Sequence, residues 1–132
     1  TVTANNNSSC TVSATTLDFG NRGVLDANID ATNQITVTCS SAVPYTVSLN
    51  GGSSGASDPT QRKMSLGPTQ ITYGIYRDAG RSQPWGSTIG TNTVAGTGTG
   101  SAQVLTGYGR VPPQTTPAPG TYTDTIVVTV TY

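Results

Sequence analysis

Thr or Ser alternates with an aliphatic or aromatic side chain in stretch after stretch of this 132-residue chain, and nowhere do apolar residues hold a three-and-four spacing for more than one turn. A period of two sends successive side chains to opposite faces of an extended backbone. The alternation therefore restricts the chain to half-buried strands, and the expectation is an all-β fold. Composition agrees: charged residues make up only 9%, Glu is absent, and the branched residues Thr and Val, which fit a pleated surface, are abundant. The length fits one domain around one core.

In the N-terminal half, Cys10, Val12 and Ala14 share one face, and Leu17 and Phe19 continue it before Gly20 turns the chain. Residues 21–33 read as a polar loop. Gln34 to Ser40 places Ile35, Val37 and Cys39 inward, and the short Ser41–Pro44 link predicts an antiparallel connection to Tyr45, Val47 and Leu49. Beyond the Gly/Ser-rich loop from Asn50 to Pro59, Met64 with Leu66 forms a short strand and Ile71 to Tyr76 a longer one. Trp85 is assigned to the core.

The glycine-rich run Val94–Gly100 reads as an irregular segment leading into a strand from Ala102 to Tyr108, and four prolines make Val111–Pro119 a crossing loop. Thr121 to Tyr132 is then the longest expected strand, with Ile126, Val128, Val130 and Tyr132 on one face. Six or seven strands at these spacings point to an immunoglobulin-like sandwich, in which a penultimate F strand pairs with a final G strand. If the last strand here holds the F position, its far edge is unpaired and the core beneath it is open. Something from outside should fill it.

Chemistry finds little purchase. There is no His, there is one Lys, and the six Asp are scattered, so no triad, acid–base pair or Ser–Lys arrangement is available and the chain reads as a non-enzyme without cofactor. Asp26-Ala27-Asn28-Ile29-Asp30 opens like a calcium loop, but Ala31 stands at the turning Gly and Val37 at the bidentate Glu, which leaves a solvated polar loop. Six basic residues balance six acidic ones without a run of either sign, so no nucleic-acid partner is implied. No apolar stretch is long enough for a membrane helix, and the N-terminus lacks a signal-peptide pattern, so secretion would require a signal already removed. Cys10 and Cys39 cannot form a Cys/His zinc site in a chain without His. A disulfide is favoured over two buried free thiols, which implies folding in an oxidising compartment such as the periplasm.

Cys10-Thr11-Val12-Ser13-Ala14, Leu17-Asp18-Phe19-Gly20, Val37-Thr38-Cys39, Tyr73-Gly74-Ile75-Tyr76-Arg77-Asp78-Ala79, Trp85-Gly86 and Gly120-Thr121-Tyr122-Thr123-Asp124-Thr125, in this order, resemble the spore coat protein U domain of archaic (Csu-type) chaperone–usher pilins. The resemblance runs from about Cys10 to Tyr132. It implies an incomplete immunoglobulin-like β-sandwich lacking strand G, with a disulfide between Cys10 and Cys39, completed by a donor strand from another subunit. Residues 10–132 would be the pilin domain and residues 1–9 a donor-strand extension and linker.

Strand addition draws affinity from main-chain hydrogen bonds and specificity from alternate side chains. Val2 and Ala4 are the donor candidates ahead of the Asn5–Ser9 linker. Val12, Ala14, Ile126, Val128, Val130 and Tyr132 are the acceptor-groove candidates. The donor is short, since family members usually carry several alternating apolar residues before the first Cys. Implied partners are identical or sibling pilins in a homopolymer, a periplasmic chaperone and an outer-membrane usher. The implied location is an extracellular pilus serving attachment and biofilm formation. A tip adhesin domain and a spore-coat or matrix protein are the alternative readings.

Overall fold

The computed structural model describes residues 1–5, 7–21 and 23–132; Asn6 of the expected linker and Arg22 lie outside the described residues. The described residues form eight strands and no helix: β1 (Cys10–Ala14), β2 (Ile29–Cys39), β3 (Pro44–Leu49), β4 (Arg62–Leu66), β5 (Thr69–Tyr76), β6 (Val94–Thr97), β7 (Ala102–Val111) and β8 (Val128–Thr131). They make two antiparallel sheets, one of five strands in the order β1-β2-β7-β5-β4 and one of three in the order β6-β3-β8. The all-β expectation holds.

The inward faces meet in a single core. Ile35, Val37 and Cys39 of β2, Tyr45, Val47 and Leu49 of β3, and Tyr73 and Ile75 of β5 are all buried, as the alternation requires. Each such side chain contributes on the order of 1.5–3 kcal/mol by leaving water. Trp85 is fully buried, and its indole Nε1 donates to the Val47 carbonyl at 3.0 Å, which satisfies its one polar atom. Leu17 and Phe19 reach β7 because Gly109 has no side chain: a Cβ there would lie 2.7 Å from Leu17 Cδ2 and 2.9 Å from Phe19 Cζ. Phe19 also meets the Tyr73 ring edge-on at 6.0 Å between centroids.

Four expectations are corrected. Residues 21–33 are not all loop, because β2 starts at Ile29, where Ile29 faces Val111 and Asp30 faces Arg110 of β7. Arg110 grips the Asp30 carboxylate with Nε at 2.8 Å and Nη2 at 3.0 Å, and Arg81 Nε approaches it at 3.4 Å, so Asp30 belongs to a strand-borne ion network. The Ser41–Pro44 link does not join paired strands. It carries the chain from one sheet to the other, with Ala42 in the left-handed region at φ 66°.

Val94–Gly100 is not wholly irregular, since Val94–Thr97 pairs with β3 as an edge strand. Glycine is needed there for close approach: a Cβ on Gly96 would sit 2.5 Å from the Tyr45 hydroxyl. Finally, Thr121–Tyr132 is not the longest strand. Only Val128–Thr131 joins a ladder, and β2 with 11 residues is longer. Thr123 instead bridges Ser65 on the five-stranded sheet, so the terminal segment crosses from one sheet to the other and no single ladder can follow it.

The carboxylates set the acid response. The Asp30 carboxyl lies below its usual 3.8 chiefly because of the Arg110 hydrogen bonds, and Asp58 and Asp78 are lowered chiefly by hydroxyl donors from Thr60 and Ser82. A carboxyl depressed in the fold adds stability that is complete above its unfolded pKa and is lost as pH falls through its folded value. With no His to titrate, the thermal midpoint is expected to be flat from about pH 7 to about pH 5 and to drop below about pH 4. Melting curves over that range check this; a fall already between pH 7 and 5 would contradict it.

Candidate acceptor groove

β1 borders the five-stranded sheet and pairs only with β2, while β8 borders the three-stranded sheet and pairs only with β3, among the described residues. The two edges lie close to each other along one side of the sandwich. From β1, Val12 is half-buried against the core; from the terminal segment, so are Ile126, Val128 and Val130. Ala14 and Tyr132 lie at the rim, with Ala14 exposed and Tyr132 60% exposed. The outer edge of β8 has no ladder partner among the described residues. An exposed edge above an apolar face is a template for another strand.

One wall is stapled. Cys10 and Cys39 face each other in the β1–β2 register and form a disulfide with Cα atoms 4.0 Å apart. Cys39 is buried and Cys10 half-buried. The pairing reaches one residue further, as Ser40 N donates to the Ser9 carbonyl at 2.8 Å and Ser9 N donates to Ser40 Oγ at 3.0 Å. Thr1–Asn5 belongs to no strand, and Val2 is 99% exposed, so it does not occupy the groove of its own chain.

The other wall is held by residues that sequence reasoning missed. In the terminal segment the inward positions are Tyr122, Asp124, Ile126, Val128 and Val130, so Asp124 places a carboxylate in an otherwise apolar register. It receives the Tyr73 hydroxyl at 2.6 Å on Oδ2, and the Ser53 and Thr125 amides at 2.8 Å each on Oδ1. Burial, and next the Asp124 bond, push the Tyr73 hydroxyl well above its usual pKa, so it is a committed donor. Nearby, the Arg62 guanidinium is fully buried and donates to the carbonyls of Asn50, Pro59, Leu49 and Trp85. A charge at an inward position of an alternating strand was the available signal for Asp124. Arg62 gave none, because its partners are backbone atoms.

Elsewhere the polar groups are structural. Arg81 donates to the Gly109, Ala79 and Ala31 carbonyls and lies 5.7 Å from the Tyr108 ring centroid. Among the described residues no three His, Cys, Asp or Glu side chains converge as metal ligands. A hollow lined by Ser54, Ser57, Asp58, Gln61 and Lys63 is shallow and open to solvent.

The model of the spore coat protein U domain matches residues 1–129. The chain belongs to that family. A relative in the same family, Protein U of Myxococcus xanthus, is 30% identical over 129 residues, covering 89% of this chain and 72% of that protein. Among solved structures, the spore coat U chain is similar to one from the CsuC-CsuE chaperone-tip adhesion subunit pre-assembly complex of the archaic chaperone-usher Csu pili of Acinetobacter baumannii. That similarity has a TM-score of 0.72 and 27% identity over 95% of this chain. The chain spans only 40% of the length of that solved chain. This spore coat U domain is therefore a structural, non-enzymatic protein with the all-β fold of a chaperone–usher pilus subunit.

Proposed function

We propose that the chain is a structural subunit of an archaic chaperone–usher pilus, polymerising head to tail as the groove between β1 and β8 accepts the N-terminal strand of a neighbouring copy. The observation that carries this is the β8 edge, unpartnered among the described residues, beside half-buried Val12, Ile126, Val128 and Val130, with Val2 of the same chain exposed to solvent. An incoming strand would add a ladder to β8 and set alternate side chains on the half-buried face. Val2 and Ala4 are the donor positions in this reading, with Asn5–Ser9 as the linker. A head-to-tail contact of this kind does not close on itself and yields a fibre. A periplasmic chaperone would occupy the groove first, and an outer-membrane usher would be the site of exchange. The fibre would be extracellular and serve attachment and biofilm formation.

The test is electrophoretic. Co-expressed with a candidate periplasmic chaperone, the full chain is expected to run as a ladder of multimers in SDS without boiling, to collapse to monomer on boiling, and to lose the ladder when residues 1–9 are deleted. A monomer in every lane sinks the polymer. It would favour the tip-domain reading, which the similarity to the CsuC-CsuE tip complex supports, or the coat reading.

A further inference from the structure

β8 is held to its sheet by pairing over only Val128–Thr131, with β3 on one side. An edge strand this short is the kind of element that opens locally while the rest of a domain stays folded. What precedes it is unusually well tied. Within residues 123–127, Thr123 exchanges backbone bonds with Ser65 at 2.8 and 3.2 Å, Asp124 takes the Tyr73 hydroxyl and the Ser53 amide, and Val127 N donates to Asn50 Oδ1 at 2.9 Å while Val127 O accepts from Asn50 N at 3.1 Å.

The partners come from the five-stranded sheet, Ser65 of β4 and Tyr73 of β5, and from the loop after β3, Asn50 and Ser53. That loop is itself fixed, because buried Arg62 holds the carbonyls at Leu49, Asn50 and Pro59. It also lies hard against the carboxylate: a Cβ on Gly52 would sit 2.1 Å from Asp124 Oδ2. These ties converge on the step where the terminal segment leaves one sheet and joins the other.

We infer that Asp124, Tyr73 and Asn50 are positioning residues for strand acceptance: they latch the sheet-to-sheet step and so keep β8 in register on β3 with its outer edge presented. This rests on the proposed groove function. A donor can pair only with ordered β8, so its apparent affinity scales with the fraction of chains in which β8 is in place. Loosening the latch lowers that fraction without touching any residue the donor would contact. Asp124 accepts on both oxygens, so an amide, with one, can keep either the Tyr73 hydroxyl or the Ser53 and Thr125 amides and should hold only part of the latch.

The experiment is residue-resolved hydrogen exchange on the full-length chain, paired with the yield of SDS-resistant multimers. In Tyr73→Phe and Asp124→Ala, exchange across 126–131 is expected to rise by about tenfold, as the loss of one or two hydrogen bonds implies, while β2 and β7 amides keep their wild-type rates. Multimer yield should fall in parallel, and Asp124→Asn should lie between the wild type and Asp124→Ala in both. If the two core-facing variants do not fold, Asn50→Ala at an exposed position removes the side-chain half of the Val127 tie and gives the same reading in smaller measure. Rates that rise equally in β2, β7 and β8, or that stay unchanged in β8, overturn the inference. A wild-type chain that never forms multimers overturns the pilus reading instead, and the exchange pattern still decides whether the latch exists.

Discussion

Arg62→Ala is expected to cost about 3–4 kcal/mol of folding stability, a large share of the roughly 5–15 kcal/mol that a domain of this size possesses. The guanidinium is fully buried and meets four carbonyls, at 2.7 Å for Trp85, 2.8 Å for Pro59, 2.9 Å for Asn50 and 3.4 Å for Leu49. Truncation strands those acceptors and opens a cavity beside Trp85. Each stranded buried carbonyl costs about 1–3 kcal/mol, and the terms do not simply add, because water can enter and satisfy part of the set. Burial pushes the Arg62 pKa down, but an arginine remains charged at any pH the fold survives. Lysine is no remedy, since one ammonium cannot reproduce the planar fork that reaches carbonyls on three sides. Urea titration of the wild type, Arg62→Ala and Arg62→Lys decides the matter: both variants should unfold at markedly lower urea with an unchanged slope. A loss under about 1 kcal/mol would mean that water already serves these carbonyls and that the buried cation is not what fixes the loop.

The contrast between Arg62 and its neighbours explains what could be read in advance. Inward positions such as Ile35, Val37, Tyr45, Val47, Tyr73 and Ile75 announce themselves by local alternation, which is a property of the strand alone. The terminal segment is the instructive mixed case. Its alternation is real, and inward burial continues from Tyr122 to Val130, yet its ladder is split between Ser65 of one sheet and Leu49–Thr46 of the other. Periodicity reports which side of a chain faces the core; it carries no information on which strand lies alongside.

The same limit hid the first five residues of β2, Ile29 to Asn33. Asp30, Thr32 and Gln34 face outward, and the inward Ala31 and Asn33 are small or polar because they lie opposite Gly109 and Gly107 of β7, so nothing local marks the segment as strand. Gly96 was misleading in the opposite sense, since its missing side chain is what lets β6 close over Tyr45. The half-buried alternation of Val12 in β1 and of Val128 and Val130 in β8, residues of the proposed groove, was legible. The polar latch behind them was not, because its contacts join residues up to 77 positions apart, as between Asn50 and Val127.

Removing the disulfide is the second change with a large expected effect, about 3.5 kcal/mol for Cys10→Ser with Cys39→Ser. The bridge spans a sequence separation of 29, and closing a loop of that length withdraws about that much chain entropy from the unfolded state. Against a net stability of roughly 5–15 kcal/mol, that unfolded-state term is a large fraction. The loss should also be uneven. β1 is an edge strand of five residues with β2 as its ladder partner, and the bridge fixes its first residue to a buried position in β2. Without it, β1 should open before the other ladders, and with β1 goes the wall that carries Val12. Urea midpoints of the oxidised wild type, the reduced wild type and the double Ser variant, read alongside amide exchange in β1 and β7, separate the two effects. Agreement of the reduced and Ser chains at a midpoint worth about 3–4 kcal/mol below the oxidised protein, with β1 amides exchanging first, would place the bridge in both roles. Equal midpoints for all three would show that the ladder and Val12 hold β1 unaided, and that this edge of the proposed groove rests on packing.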